Sequence, residues 1–147
     1  MAAFVWSSAL AVAVGERGRA PNPLNEEPLV DGPLVSVILP ARNEARGIGA
    51  AVASHRNQTY GSVEIIVVDD ESDDDTADAA RAAAGDDPRV QVIGGAPVPD
   101  GWIGKPWACS QGARHATGEW LLFTDADVVH HPETLARCLA VALRLDR

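Results

Sequence analysis

The chain has 147 residues, of which 46% are hydrophobic and 22% charged, and its formal net charge is −9 at pH 7. This composition is typical of one globular domain that buries a core without disulfides, and it excludes a disordered chain. Seven of the 21 acidic residues fall within residues 69–78. Such clustering argues against nucleic acid as a partner and favours a cleft that attracts metal cations. The two cysteines lack metal-ligand spacing, which indicates a reduced, cytoplasmic compartment.

Residues 1–33 are predicted to be an apolar leader followed by a proline-rich linker. Residues 2–14 are small or apolar apart from two serines. They are too few to span a bilayer, which takes ~20 residues, and no basic residue precedes them as in a secretory signal. Three interpretations stay open: a frayed or membrane-associated leader, a packed helix, or a misassigned start. Residues 15–33 contain four prolines, which leave little room for regular structure.

Residues 34–147 are predicted to form the folded domain, in which apolar runs alternate with helical patterns. The runs are residues 34–39, 63–68, 90–93 and 120–123, and the helical patterns are residues 44–58, 76–84, 106–116 and 132–145. The first two runs are rich in β-branched residues and do not alternate with polar ones, which is typical of parallel strands buried on both faces. The sequence therefore predicts an α/β fold, a three-layer α/β/α sandwich with a mostly parallel sheet.

One long connection interrupts this regular alternation. Residues 94–105 form a loop rich in glycine and proline that also holds Trp102 and Lys105. Loops of this length within compact domains are commonly functional or disordered. Two interpretations remain for Trp102 and the nearby Trp107: they stack on a ligand, or they anchor the loop to the core.

Polar side chains follow three of the predicted strands. Asn43 and Glu44 come after the first run, Asp69 and Asp70 after the second, and Asp125 and Asp127 after the fourth. Carboxyl ends of parallel strands share one edge of the sheet, where ligands of such folds bind. Two carboxylates this close raise each other's pKa unless a cation lies between them, and a divalent metal there would also hold phosphates. Since the chain lacks a phosphate-binding loop of the Gly-x-x-x-x-Gly-Lys kind, a diphosphate would depend on that metal.

Three segments carry a family resemblance. Residues 35–44 (VSVILPARNE), 63–74 (VEIIVVDDESDD) and 116–127 (ATGEWLLFTDAD) resemble family 2 glycosyltransferases of the GT-A fold in composition, order and spacing. Residues 101–108 (GWIGKPWA) are similar to the hopene-associated and carotenoid-type branch of that family. The resemblance extends from residue 34 to about residue 143, nearly the whole predicted domain.

The resemblance implies a set of nucleotide-sugar-binding and metal-binding residues. Four residues match the first nucleotide-contacting segment: Pro40, Ala41, Asn43 and Glu44. Asp70 matches the position that binds the base, and Asp69 beside it supports the loop. Lys105 matches a lysine that faces the nucleotide-sugar, and Asp125 and Asp127 match the Asp-x-Asp motif. Asp125 is expected to contact the nucleotide-sugar, and both carboxylates of the motif are expected to bind Mg²⁺ or Mn²⁺.

The implied activity is metal-dependent transfer of a sugar, with inversion, from a nucleotide-diphosphate sugar. A UDP-linked donor and a lipid, polyprenoid-type or other hydroxyl acceptor at the inner face of the cell membrane are expected. The acceptor-binding half and its catalytic base are expected beyond residue 147, so no residue is assigned as the base. One alternative is a non-catalytic or split-enzyme sugar-nucleotide-binding module completed by a second chain. Another is a nucleotidyltransferase, although residues 43–47 lack the glycine-rich segment usual in that class.

Several other polar residues receive structural interpretations. Residues 73–75 are predicted to be a solvated turn and a helix N-cap, because the spaced ligands of a calcium loop are absent. His130 and His131 are predicted to begin a helix, although a metal site beside Asp127 is an alternative. His55 and His115 are predicted to lie on the surface.

Overall fold

The computed structural model describes the backbone of residues 4–7 and both the backbone and the side chains of residues 22–145. Five strands form one parallel sheet in the order β1-β5-β2-β3-β4. The strands are β1 (Phe4–Ser7), β2 (Val35–Ala41), β3 (Val63–Asp69), β4 (Val90–Gly94) and β5 (Trp120–Thr124). The helices are α1 (Ile48–Arg56), α2 (Thr76–Ala84), α3 (Gly104–His115) and α4 (Thr134–Leu145), with a short 3-10 helix at Pro23–Asn25. The predicted α/β fold is confirmed.

Strand β2 lies at the centre of the core and is buried along its whole length. Successive side chains of a strand point to opposite faces, so the two faces of β2 pack against different layers. Val37 and Leu39 join a cluster that includes residues of α1, α2 and α4, whereas Ile38 joins a smaller cluster with Ala108 of α3. Helices therefore cover both faces, which explains why the predicted strands show unbroken apolar runs.

The order of the strands creates a switch point between β2 and β5. From β2 the chain steps outward through α1 to β3 and through α2 to β4. It then returns through α3 to β5, which pairs with the opposite side of β2. Connections on either side of this point leave the sheet in opposite directions, which opens a crevice at the carboxyl ends of β2 and β5. The fold thus selects one place for a ligand.

The elements differ from the predicted bounds mainly at the ligand-binding edge. Strand β2 extends to Ala41, which pairs with Asp69 of β3, so both residues belong to the ladder. Helix α1 begins at Ile48, four residues later than predicted, because the chain first makes a turn in which the Glu44 carbonyl accepts from the amides of Gly47 and Ile48. This turn lies directly beside the crevice.

Glu64 of β3 stabilises the end of the sheet where the strands begin, opposite the crevice. Its carboxylate accepts hydrogen bonds from Ser36 Oγ at 2.5 Å, Thr117 N at 2.6 Å and Gly118 N at 3.1 Å. Burial raises the pKa of Glu64, but these hydrogen bonds outweigh that effect and the net pKa is lowered. Because Gly118 leads into β5, Glu64 fixes the entry of β5 alongside β2.

The leader differs from the sequence analysis where the structure describes it. Residues 4–7 form a strand that pairs in parallel with β5, so the packed-helix interpretation is wrong for them. The rest of the predicted leader, and the linker up to residue 21, lie outside the described residues. From residue 22 the chain runs along α4, where Glu26 pairs with Arg144 at 2.8 Å. No helix within residues 4–7 and 22–145 is long and apolar enough to cross a membrane.

Candidate functional site

A polar cavity of about 290 Å³ opens at the carboxyl ends of β2, β3 and β5. Its lining consists of the last two residues of β2, residues that follow the three strands and one residue from the first turn of α3: Pro40, Ala41, Arg42, Glu44, Asp70, Lys105, Asp125, Ala126 and Asp127. All the predicted site residues except Asn43 and Asp69 line it. The structure therefore brings together side chains separated by more than 80 positions in the sequence.

Asn43 and Asp69 support the loops beside the cavity. Asn43 has a positive φ of 55°, and its side-chain oxygen accepts from the amide of Asp73 at 2.8 Å. Its own amide donates to Ser72 Oγ at 3.0 Å. Asp69 accepts from the amide of Ser72 at 3.3 Å, and its backbone carbonyl accepts from Gly95 at 2.8 Å. These contacts shape the cavity wall without placing either side chain in its lining.

The acidic run after β3 joins this support. The Ala45 amide donates to Asp74 Oδ2 at 3.3 Å, and the Glu44 amide donates to Thr76 Oγ1 at 2.8 Å. Asp74 Oδ1 also accepts from the Thr76 amide at 3.0 Å at the start of α2. The hydrogen bond from the Thr76 hydroxyl is the main cause that lowers the pKa of Asp74. The run is a turn and helix cap as predicted, and it also fastens the loop after β2, which the sequence analysis missed.

Asp70 is the buried carboxylate of the site, with only 4% of its surface exposed. Its amide donates to the Ala41 carbonyl at 2.8 Å, which fixes its backbone against the end of β2. A Cβ added at Gly104 would lie 3.1 Å from Asp70 Oδ2, so this oxygen lies beside the first turn of α3. The positive end of the helix dipole favours a carboxylate there. Oδ1 has no hydrogen-bond partner among the described residues.

The Asp-x-Asp motif separates into one paired and one open carboxylate. Lys105 reaches across from α3 and donates to Asp125 Oδ1. Asp127 is exposed, and within residues 22–145 its carboxylate has neither a hydrogen bond nor an ion pair. No group of three His, Cys, Asp or Glu side chains in the described part of the chain could hold a metal by itself. The residues present instead fit a Mg²⁺-type ion, which takes one or two carboxylates and completes its shell with phosphate and water oxygens.

The turn before α1 packs directly on this motif. A Cβ at Gly47 would lie 3.2 Å from Asp127 Cα and 3.3 Å from Asp127 Cβ. Cα is a backbone atom and Cβ is fixed directly to it, so neither can move aside as the end of a long side chain would. The absence of a side chain at Gly47 therefore sets how closely the motif approaches α1.

Two histidines lie behind the Asp-x-Asp loop. His130 Nε2 shares a hydrogen bond with Thr124 Oγ1 at 2.9 Å, and the His130 amide donates to Ser54 Oγ at 3.2 Å. The ring of His55 lies 4.8 Å from that of His130 and is 1% exposed, with neither ring nitrogen hydrogen-bonded to a described residue. Burial, and secondarily His130, lowers the pKa of His55 to about 3, and burial also lowers the pKa of His130.

The surface location predicted for His55 is therefore wrong, whereas His115 is exposed as predicted. The sequence did contain a signal, because His55 continues the buried face of α1 at helical spacing from Ile48 and Val52. His131 accepts from the Glu133 amide at 3.3 Å just before α4, as expected for a helix start.

The long loop between β4 and α3 is fastened to α3 at Ala96. The Ala96 amide donates to Gln111 Oε1 at 2.7 Å, and its carbonyl accepts from Trp107 Nε1 at 2.9 Å. Trp107 also contacts the ring of Trp102 edge-on at 5.2 Å and lies 5.1 Å beneath the Arg114 guanidinium. Trp107 thus anchors the loop, while Trp102 remains 44% exposed. Gln111 was missed because nothing local distinguishes it from other polar helix residues.

A larger cavity of about 500 Å³ lies between the 3-10 helix and α4 and shares no lining residue with the polar cavity. Leu24, Leu122, Leu135 and Cys138 give it a mainly apolar lining. Burial raises the pKa of the Cys138 thiol to about 11. The polar residues that follow β2 and β3 do not line this larger cavity, and neither do Asp125 and Asp127, so the smaller cavity is the candidate site.

Comparison with known proteins identifies the family to which this chain is similar. The family model for glycosyl transferase family 2 matches residues 36–147. The 4,4'-diaponeurosporenoate glycosyltransferase of Staphylococcus haemolyticus is 39% identical over 94 residues, covering 64% of this chain and 24% of the relative. The chain thus spans about a quarter of the length of the curated relatives that it matches.

Solved structures show the same fold. Mannosyltransferase PcManGT from Pyrobaculum calidifontis, in complex with GDP-Man and Mn²⁺, has a TM-score of 0.65 at 31% identity and covers 80% of this chain and 36% of its own. Residues 1–349 of S. aureus TarS, in complex with UDP-GlcNAc, give a TM-score of 0.61 at 29% identity, with 73% and 30% covered. The family match covers most of the chain and its structural neighbours are GT-A glycosyltransferases, so the chain belongs to glycosyl transferase family 2.

Proposed function

We propose that this chain binds the donor of a metal-dependent glycosyltransferase, which moves a sugar with inversion from a UDP-linked donor to a lipid or other hydroxyl acceptor. The observation that carries the proposal is the convergence of Asp70, Lys105, Asp125 and Asp127 at the switch point of a parallel sheet. Two acidic strand ends and one lysine in a single polar cavity match the base and diphosphate ends of a nucleotide.

The residues divide between these two ends. Asp70 would accept a hydrogen bond from a ring N–H of the base, since it is a buried carboxylate that lines the cavity. Pro40 and Ala41 would flank the nucleoside through the end of β2, with Glu44 at the turn that follows. Asn43 and Asp69 would act through the loops that their hydrogen bonds hold in place.

The diphosphate end would be formed by the Asp-x-Asp motif and Lys105. Asp127 would be the principal ligand of Mg²⁺ or Mn²⁺ because its carboxylate is open, with Asp125 beside it. Lys105 holds Asp125 in place and brings a positive charge to the region where negative charge develops on the departing phosphate oxygen. When bound, the metal ion supplies Lewis acid stabilisation of that charge.

Two structurally similar proteins support the donor side of the proposal. PcManGT was solved with GDP-Man and Mn²⁺, and TarS with UDP-GlcNAc. The lipid acceptor and an association with the inner membrane face are proposed from the relatives named for 4,4'-diaponeurosporenoate and from the similarity of residues 101–108.

The test is calorimetry of UDP binding with and without Mn²⁺. We expect Mn²⁺ to tighten binding to the wild type by about tenfold or more, and Asp127→Asn to abolish that gain. The matched control is Asp86→Asn, because Asp86 is exposed just before β4, at the end of the sheet away from the cavity. Binding that is indifferent to Mn²⁺ and to Asp127→Asn would remove the metal from the proposal, and failure to bind either UDP or GDP would refute the site.

A second measurement distinguishes catalysis from binding alone. UDP release from UDP-linked sugars, in the presence of Mn²⁺ and above the rate in buffer, would show that the chain turns over its donor. Binding without release would favour the alternative of a sugar-nucleotide-binding module that a second chain completes.

A further inference from the structure

Two buried polar atoms near the site lack partners. Among the described residues, only Asp70, Gln111 and His55 have buried side-chain nitrogen or oxygen atoms without a hydrogen bond. A buried polar group without a hydrogen bond destabilises the fold, so each such case calls for an explanation. The atoms at the site are Asp70 Oδ1, an acceptor, and Gln111 Nε2, a donor. They are complementary.

The two residues flank the same glycine. A Cβ at Gly95 would lie 3.4 Å from Asp70 Cα and 3.6 Å from Gln111 Nε2. Gln111 lies on the same side of α3 as the fully buried Ala108, which faces the sheet. The orphaned donor and acceptor therefore belong to one small region beneath the loop that follows β4.

The orientation of the Gln111 amide is determined by its other contact. Oε1 accepts from the Ala96 amide at 2.7 Å, and an NH₂ group could not occupy that position because two donors would face each other. Nε2 must then point away from Ala96. Asp70 and Gln111 lie on either side of Gly95, and a hydrogen bond between Oδ1 and Nε2 would satisfy both groups at once.

We propose that Gln111 is a positioning residue for nucleotide recognition, which orients the Asp70 carboxylate through Nε2 while it holds the loop after β4 through Oε1. With Oδ1 accepting from Gln111, Oδ2 is left to accept from the ring N–H of a base such as uracil. The inference rests on the proposed function. It links the position of the loop to the recognition of the base through a single amide.

The experiment compares UDP affinity, in the presence of Mn²⁺, for variants that separate the two contacts. Gln111→Glu keeps the acceptor for Ala96 but turns a carboxylate oxygen toward Asp70, whereas Gln111→Met loses both contacts. We expect Gln111→Glu to weaken UDP binding by about tenfold or more, and by more than Gln111→Met. Gln91→Glu is the matched control, because Gln91 is exposed on β4.

A swap of donor and acceptor gives the decisive comparison. In Asp70→Asn combined with Gln111→Glu, the new amide can donate to the new carboxylate and still offer its oxygen to the base. We expect this double variant to bind UDP more tightly than either single variant. A residue that merely tethers the loop predicts wild-type affinity for Gln111→Glu, weak binding for Gln111→Met and no recovery in the double variant, and that pattern would overturn the proposal.

Two results need a separate interpretation: misfolding of Gln111→Glu, and failure of the wild type to bind a nucleotide. If Gln111→Glu does not fold by circular dichroism, Gln111→Met is compared in the wild-type and Asp70→Asn backgrounds. The proposal then requires Gln111→Met to weaken UDP binding more in the wild-type background than in the Asp70→Asn background, and equal weakening in both overturns it. If the wild type itself binds neither UDP nor GDP, the proposed function fails, whereas unchanged affinity in Gln111→Glu beside a binding wild type refutes only the role of Gln111.

Discussion

Replacement of His55 tests how burial behind the Asp-x-Asp loop controls stability at mildly acidic pH. His55 is 1% exposed, and neither ring nitrogen is hydrogen-bonded to a residue that the structure describes. Burial and the facing His130 lower its pKa from 6.5 to about 3. Between these two values the unfolded chain binds a proton that the folded chain does not. The free energy of unfolding must therefore rise with pH across this window.

The magnitude follows from the two pKa values. At pH 5 the unfolded state is mostly protonated at His55 and the folded state is not, which destabilises the fold by about 2 kcal/mol relative to pH 8. His55→Phe keeps a planar ring against His130 and removes both orphaned nitrogens. Between pH 8 and pH 5 the free energy of unfolding should therefore fall by about 2 kcal/mol less in the variant than in the wild type.

The assay is urea unfolding at several pH values between about 5 and 8, followed by circular dichroism. His115→Leu is the control, since it removes an exposed histidine from α3 and leaves the core intact. His130 and the carboxylates titrate in all three proteins, so only the difference between the curves reports on His55. Parallel curves for the wild type and His55→Phe would refute the argument that His55 is buried in its neutral form.

Two further substitutions test close contacts that position the site. Gly47→Ala places a Cβ 3.2 Å from Asp127 Cα, so we expect a loss of about 1–3 kcal/mol in stability and weaker Mn²⁺-dependent UDP binding, while Gly61→Ala, with nothing within 4 Å, should leave both unchanged. Glu64→Gln keeps one oxygen for the donors of Ser36, Thr117 and Gly118 but removes the negative charge that strengthens these hydrogen bonds, and we expect about 1–3 kcal/mol of destabilisation by urea unfolding at neutral pH. Because the folded pKa of Glu64 is lowered, its contribution is present above the usual value of 4.5 and fades as pH falls through the folded pKa, so wild type and variant should converge in acid. Equal stability of Gly47→Ala and Gly61→Ala, or a Glu64→Gln defect that persists unchanged in acid, would contradict these assignments.

Local sequence determined the elements and their order. The β-branched runs of β2 and β3 identify buried parallel strands without reference to any other part of the chain, and the alanine-rich pattern gave the bounds of α2 directly. The convergence of Asp70, Asp125 and Asp127 followed as well, because the carboxyl ends of parallel strands must share one edge. Periodicity and strand direction are thus enough to place these carboxylates together.

Only the tertiary structure decided how individual side chains act. His55 is buried because the loop after β5, carrying His130, covers α1 from more than 70 positions away. Asn43 holds the acidic loop after β3 and stays out of the cavity lining, and Gln111 matters through Ala96 and its proximity to Asp70. The strand at residues 4–7 likewise depends on the free edge of β5. Each of these roles depends on contacts between distant segments, whose geometry is set by packing and is absent from any local pattern.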